Sequence, residues 1–318
     1  MADKADKNKK GELALIDWIR LNGPPSGSKV TIGPGDDLAG LNLDGQELLF
    51  GCDQVLDGVH FDLSQCGARA AGRKALARNL SDVAAMAAEP LAAVASVALP
   101  NDMPAKEAQE IVKGMWQLAQ EFDCPLTGGD VGSWDQALAI SVSILARAAG
   151  IEPVLRSTAK PGDVIMVTGE LGGAILGKHL SFVPLVKEAR LLAKAIKVRA
   201  MIDVSDGLAR DLHHIAKESG CGARIIAEQI PISEAAKDLA KKSGGSALEH
   251  SLSDGEDYEL LFTVAPDDAD KAAQVLRSAG TRVSQIGEIT QAKVLMVGKD
   301  GKEHELLAGG YEHFTGSS

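Results

Sequence analysis

Residues 200–219 read Ala-Met-Ile-Asp-Val-Ser-Asp-Gly-Leu-Ala-Arg-Asp-Leu-His-His-Ile-Ala-Lys-Glu-Ser, and this stretch decides the fold class. Ala200–Asp203 is a short apolar run of strand length. Gly207 breaks it, and Leu208, Leu212 and Ile215 then recur at helical spacing as far as Ser219. A strand running directly into a helix is the repeating unit of α/β proteins. Working outward, the spacing predicts strand Val164–Thr168 opening into Gly169-Glu170-Leu171-Gly172-Gly173, and a helix over Leu185–Val198. Beyond it are strand Ala223–Ala227, helix Ser233–Lys242, strand Glu259–Val264, helix Asp267–Ala279 and strands Arg282–Ile289 and Val294–Val297.

The first half alternates in the same way. Helix Glu12–Leu21 ends at Gly23-Pro24-Pro25, and two strands follow, Glu47–Cys52 and Val55–Phe61. The long helix Ala68–Ala88 carries Leu76, Leu80, Val83 and Ala87 on one face. Strand Leu91–Leu99, helix Ala105–Phe122 and strand Ala137–Ala146 complete this half. A break near Gly150 divides the chain into a disordered tail (1–11), an N-terminal domain (12–150) and a C-terminal domain (151–318), α/β in both halves.

Composition narrows the function. The net charge of −11 and an aromatic content of 3% disfavour nucleic acid and anionic membranes as partners. An acidic protein that handles phosphates needs divalent cations between itself and its ligand. Cys52, Cys66, Cys124 and Cys221 show no CxxC spacing, which points to reduced thiols in a cytoplasmic protein. Met1–Lys10 is polar and unlike a signal peptide, and no apolar run is long enough for a membrane span.

Six clusters of acidic and small residues recur along the chain: Gly35-Asp36-Asp37, Cys52-Asp53-Gln54, Ser81-Asp82, Gly129-Asp130, Asp203-Val204-Ser205-Asp206-Gly207 and Asp254-Gly255-Glu256-Asp257. Carboxylates beside glycine or serine suit hard cations. Each cluster also has a plainer explanation. Gly-Asp pairs make turns, Asp82 stands four residues after Arg78 as an ion pair would, and Ser205 and Asp206 start helices well. Three acids in four residues at Asp254–Asp257 need a positive partner. Gly169–Gly173 lacks the Gly-Lys-Ser/Thr ending of a P-loop and the GxGxxG spacing, so it reads as close strand–helix packing. His213-His214 reads as a helix surface pair, and His60 reads equally as a core or a site residue.

In order along the chain, these stretches resemble the thiamine-monophosphate kinase family of the aminoimidazole-ribonucleotide (AIR)-synthetase-related superfamily. The matching segments are Gly35-Asp36-Asp37, Asp53 with Gly58-Val59-His60-Phe61, Lys74-Ala75-Leu76-Ala77 with Asn79-Leu80-Ser81-Asp82, Gly128-Gly129-Asp130, Arg156 with Lys160-Pro161-Gly162-Asp163, Ile202–Leu208, Gly255–Leu260 and Gly310–Phe314. The resemblance implies a two-domain α/β (α+β type) AIR-synthetase-like fold, with N-terminal mixed sheets pairing across a homodimer. It also implies transfer of a phosphoryl group from ATP to thiamine monophosphate, assisted by several Mg²⁺ ions, with K⁺ left open as a further ion.

By the same resemblance Asp37, Asp53, Asp82, Asp130, Asp203 and Asp206 hold metal, together with Cys52 at the position beside Asp53. Gly129, Asp130, Arg156 and Ser205 contact ATP; Asp130, Arg156 and Asp206 are the catalytic set, with Lys160 assisting Arg156. His60, Glu256 and Tyr311 face the thiamine. A phosphate monoester is already largely anionic at neutral pH, so no general base is required. Against the family pattern, Gly51, Cys52 and Gln54 replace hydroxyl residues, Val131 and Gly132 replace threonines, and Phe182-Val183-Pro184-Leu185 lacks an arginine. A thiol is a poor Mg²⁺ ligand. The alternatives are another ATP-using enzyme of the superfamily, or a non-catalytic nucleotide- or metal-binding homologue.

Overall fold

The computed structural model describes residues 30–33 and 35–310. The expected tail 1–11, the helix Glu12–Leu21 and Tyr311 lie outside them. Two sheets organise the rest. The first contains β1 (Val30–Ile32), β2 (Ala39–Leu43), β3 (Gln46–Leu56), β4 (Glu89–Pro100), β5 (Leu126–Trp134) and β6 (Ala139–Arg147), in the order β1-β2-β3-β6-β4-β5. β4 and β5 are parallel, and the other neighbours are antiparallel.

Two differences from the sequence reading matter for the site. β3 is one strand of 11 residues, so Asp53 lies within it, opposite Val142, rather than at a strand end. Its polar residues interrupt the apolar pattern, but β6 offers an unbroken ladder from Leu48 to Leu56. β5 is Gly-rich and polar, with none of the alternation that marks a strand. It is held at the sheet edge by pairing with β4.

Helices α1 (Ala68–Ala85) and α2 (Ala105–Glu121) cover one face of this sheet. They cross closely because each has a glycine at the contact. A Cβ on Gly72 would lie 2.0 Å from Ile111 O, and one on Gly114 2.0 Å from Arg69 O. Residues of β6 alternate: Ile140, Val142, Ile144 and Ala146 are buried, while Leu145 points to the other face with Phe50 and Val94. That second face is open and apolar; Phe50, Val94 and Leu145 are 38%, 44% and 41% exposed.

The second sheet contains β7 (Val164–Thr168), β8 (Val198–Asp203), β9 (Gly222–Ile226), β10 (Leu260–Val264), β11 (Val283–Thr290), β12 (Val294–Val297) and β13 (Glu303–Glu305), ordered β13-β12-β9-β11-β7-β10-β8. The longer helices of this half are α3 (Val186–Ala195), α4 (Leu208–Ser219), α5 (Glu234–Ser243), α6 (Ala247–Ser253) and α7 (Ala269–Ser278). Every residue of β7 and β10 is buried, so these strands read as continuous apolar runs.

Their side chains divide between two cores with period two. Ile165, Val167, Ala200, Ile202 and Leu261 join the core under α4 and α6. Val164, Met166, Met201, Leu260 and Phe262 join the core shared with α3, α7, α1 and the first sheet. This shared core fixes α1 against the end of β8, where two of the acidic clusters meet. Among the described residues no helix is long and apolar enough to cross a membrane.

Candidate functional site

Asp37 follows β1, Asp82 projects from α1 and Asp203 ends β8. One carboxylate oxygen from each lies within 4.8 Å of the others. Ser81 Oγ donates to Asp203 Oδ2 at 2.6 Å, linking α1 directly to β8. Arg156, in the segment between the sheets, grips Asp37 with two bonds, Nε to Oδ2 at 3.0 Å and Nη2 to Oδ1 at 2.7 Å. Its backbone N–H donates to Asp36 Oδ1 at 2.7 Å, so Asp36 anchors this segment rather than serving only as a turn residue.

Burial, then the neighbouring Asp53, Asp203 and Asp37, pushes the Asp82 carboxyl well above its ordinary range. Burial and Asp37 push Asp203 up to about 7, even though Ser81 and Arg156 oppose the rise. Carboxylates crowded this closely are relieved by a cation that takes oxygen ligands. The donor set therefore fits Mg²⁺, with Asp37, Asp82 and Asp203 as the residues that would hold it.

The other expected ligands divide. Asp53 faces this cluster's side of the first sheet and raises Asp82 electrostatically. Its nearest cation is Arg78, with Nε 3.6 Å from Asp53 Oδ2. The plainer explanation of Asp82, an ion pair with Arg78, gives way to Asp53, whose strand position brings its carboxylate to the guanidinium.

Cys52 alternates to the opposite, open face, paired with Ser143 and exposed, so the structure does not bring it to Asp53's side. Asp130 also belongs to the open face. It shares a cross-strand row with Ser96, Ser141 and Gln54, three strand spacings or about 14 Å from β3. It is not gathered with Asp37, Asp82 and Asp203 within one chain. Gly129 precedes it because β4 leaves no room: a Cβ there would lie 1.8 Å from Ala95 O. Lys160, expected beside Arg156, is exposed in the following turn, its N–H donating to Asp163 Oδ2 at 2.8 Å.

A second group was only partly legible. Asp206, Asp211 and His214 bring ligand atoms within 4.8 Å of one another at the start of α4. Asp211 Oδ2 accepts the N–H groups of Asp206 and Gly207 at 3.2 and 3.1 Å, which closes the helix start. His214 is half-buried here, not on a helix surface; burial and then Arg156 push it down to about 4. The available signal was an acid in the first turn of α4.

The segment Asp254–Tyr258 runs alongside Ser205. Glu256 N–H donates to Ser205 O at 2.7 Å and Tyr258 N–H to Val204 O at 2.8 Å. Glu256 and Tyr258 both adopt left-handed backbone, φ 57° and 51°, a conformation costly for side chains of this size. Side-chain contacts hold it. Tyr258 stacks on Phe182 with ring centroids 4.0 Å apart. Glu256 receives Lys74 Nζ at 2.6 Å and His179 Nδ1 at 3.2 Å. Burial alone would raise the Glu256 carboxyl, but His179 and Lys74 reverse this and hold it at about 2.

Lys74 is fully buried, and its ammonium also contacts His179 Nδ1 at 2.7 Å and His60 O. It is the positive partner the acidic segment required, and nothing in the helical pattern of α1 marked it out. Asp254 accepts from Gly173 N–H at 3.1 Å, and Asp257 accepts from Gly172 N–H at 3.0 and 2.8 Å. The Gly-rich turn thus packs against this segment, in keeping with a packing role. A cavity of about 380 Å³ opens between His60, Arg78, Ser205, Asp206, Glu256 and Tyr258.

Two family models match consecutively, AIR synthase related protein, N-terminal domain, over residues 35–148, and the C-terminal domain over 160–298. A thiamine-monophosphate kinase of Rhodopirellula baltica is 41% identical over 271 residues, covering 82% of this chain and 84% of the relative. The chain belongs to the thiamine-monophosphate kinase family. A solved structure of AaThiL complexed with AMPPCP and TMP superposes with a TM-score of 0.81 at 28% identity, over 96% of this chain and 97% of that one. The hydrogenase maturation protein HypE of E. coli shares the fold alone: TM-score 0.72 at 21% identity, over 95% and 98% of the two chains.

Proposed function

We propose that this chain phosphorylates thiamine monophosphate with ATP, giving thiamine diphosphate and ADP. The observation that carries the reading is the convergence of Asp37, Asp82 and Asp203 beside Arg156, with a cavity lined by Ser205, Asp206, His60 and Glu256 next to them. The relatives' name and the AaThiL complex with AMPPCP and TMP support the choice of both substrates.

The acceptor phosphate oxygen attacks the terminal phosphorus of ATP, and the bond to the bridging oxygen of the departing ADP breaks. Little proton transfer is required because a phosphate monoester is largely dianionic at neutral pH. The barrier lies in bringing two anions into line. Bound Mg²⁺ would supply positive charge that offsets the repulsion between the two phosphates. Asp37, Asp82 and Asp203, with Asp53 and Asp206 at the edges, would hold those ions. Arg156, now shared with Asp37, would turn to charge on the transferred group. Glu256 keeps its negative charge through Lys74 and His179, and so remains available to a cationic thiazolium.

Asp130 and Gly129 enter this reading through a second copy. The open face of the first sheet is apolar, with Phe50, Val94, Leu145 and Trp134 between 38% and 44% exposed. We propose that it pairs with its equivalent in a homodimer, placing the Asp130 row at the seam. The four free cysteines accord with a cytoplasmic setting.

Incubation with ATP, Mg²⁺ and thiamine monophosphate, with product separated by chromatography, tests the reading. Thiamine diphosphate and ADP should accumulate in equal amounts. Absence of product across a wide range of Mg²⁺ and K⁺ concentrations excludes it.

A further inference from the structure

The stripe Lys74, Arg78, Asp82 runs along α1 at intervals of four residues, one above another on the same face. At 1.5 Å per residue it spans roughly 12 Å, from the Glu256 segment to the acidic cluster. The two cations on it differ in how their donors are used. Lys74 has three N–H donors and spends them at close range, on Glu256 Oε1 and His60 O, with His179 Nδ1 2.7 Å away. Arg78 has five N–H donors. Nη1 donates to Gln54 O at 3.0 Å. Nε is buried without a hydrogen-bond acceptor, and Asp53 Oδ2, 3.6 Å away, is beyond hydrogen-bond reach.

The Arg78 side chain is 15% exposed and forms part of the cavity wall with His60, Ser205, Asp206, Glu256 and Tyr258. The wall's histidine at position 250 is already engaged with Asp254 at 2.9 Å. A largely buried guanidinium with unspent donors beside a cavity is matched by a planar or tetrahedral oxyanion that accepts two bonds.

We infer that Arg78 anchors the phosphate of the acceptor substrate. The inference rests on the proposed kinase reading and adds the residue that distinguishes a phosphorylated acceptor from an unphosphorylated one. It also sets the substrate's direction. One turn along α1 from Arg78 stands Asp82, so a phosphate held there lies next to the Asp37–Asp82–Asp203 cluster, where the donor phosphoryl group arrives. The guanidinium repels a cationic ring, which is therefore turned away from it, toward Glu256 and the apolar wall residues Val59, Ile175 and Leu239.

Titration calorimetry of the full chain with thiamine monophosphate, and with thiamine as the control, tests this in wild type, R78M and R78K. R78M should weaken thiamine monophosphate about ten- to hundredfold, the range of a lost charge-assisted bond pair. Binding of thiamine and the KM for ATP should stay within about twofold, and R78K should fall between wild type and R78M. Equal weakening of thiamine and its phosphate, or a shifted Mg²⁺ half-saturation with phosphate binding unchanged, overturns the inference in favour of a role in holding Asp53. Should R78M fail to show a cooperative melt, the R78K comparison decides. Arg78-dependent binding without formation of thiamine diphosphate would refute the kinase reading while leaving the anchor in place.

Discussion

Replacing Lys74 with methionine removes the ammonium from the buried group it forms with Glu256 and His179, and the structure sets the size of the effect. The Lys74 side chain is 0% exposed and that of Glu256 21%. Deleting one partner of a buried ion pair costs about 3–5 kcal/mol, because the other charge stays buried and uncompensated. The remaining exposure of Glu256 and its His179 contact put K74M at the lower end, about 3 kcal/mol. The carboxyl gives a second figure. Burial favours its neutral form, yet His179 and Lys74 hold it at about 2 against an ordinary 4.5. That difference corresponds to about 3 kcal/mol favouring the anion in the fold. Burial also lowers Lys74 from its ordinary value, so the pair's net contribution is below this gross figure.

The sign follows from linkage. A depressed carboxyl stabilises the fold above its unfolded value and ceases to do so as pH falls toward the folded one, here from about 4.5 toward about 2. Urea unfolding at pH 7 should show K74M destabilised by about 3 kcal/mol. K74M/E256Q should recover a large part of that loss, and the gap between K74M and wild type should narrow in acid. A loss below about 1 kcal/mol, or a second substitution that adds its own full cost, would refute the coupling.

Four further outcomes are expected. Burial, against the pull of Lys178 and the Gly172 N–H, raises Asp257 to about 7 from 3.8. Stability should therefore fall as pH rises between those values, and D257N should flatten that slope in thermal melts taken from pH 5 to about 8. D130N should abolish turnover while shifting the melting temperature by less than about 2 °C, since an exposed edge-strand carboxylate supports little of the fold. C52T should leave the Mg²⁺ titration of activity unchanged, because Cys52 faces away from Asp53. V94D on the open sheet face should convert a dimer into monomers, as read by light scattering on a size-exclusion column.

The alternation of the second half was legible because β7 and β10 are buried on both faces and the helices are strongly amphipathic. Residues 200–219 gave both the end of β8 and the start of α4. The helix α6 carried its signal too, a Ser246–Glu249 capping box, which is too short to stand out without a long apolar stripe. β5 was hidden because an edge strand needs only backbone pairing, and Gly128, Gly129 and Asp130 satisfy it with no apolar face.

At the site, the sequence supplied Asp37, Asp82 and Asp203 as candidates. Only the packing of α1 on β8 makes them neighbours. The one-residue alternation of β3 separates Cys52 from Asp53, a distinction invisible while that strand was read as two pieces. Lys74 and Arg78 lay on a helix face that pattern alone assigns to core or solvent. Their roles appear once the Glu256 segment and Asp53 are seen to close over them.

Transfer from ATP labelled with ³²P at the terminal phosphate tests the central claim most directly. With thiamine monophosphate and Mg²⁺, the label should appear in thiamine diphosphate, at a rate reduced by several orders of magnitude in D82N. Label released as inorganic phosphate, retained in ATP, or transferred equally well by D82N would contradict the account.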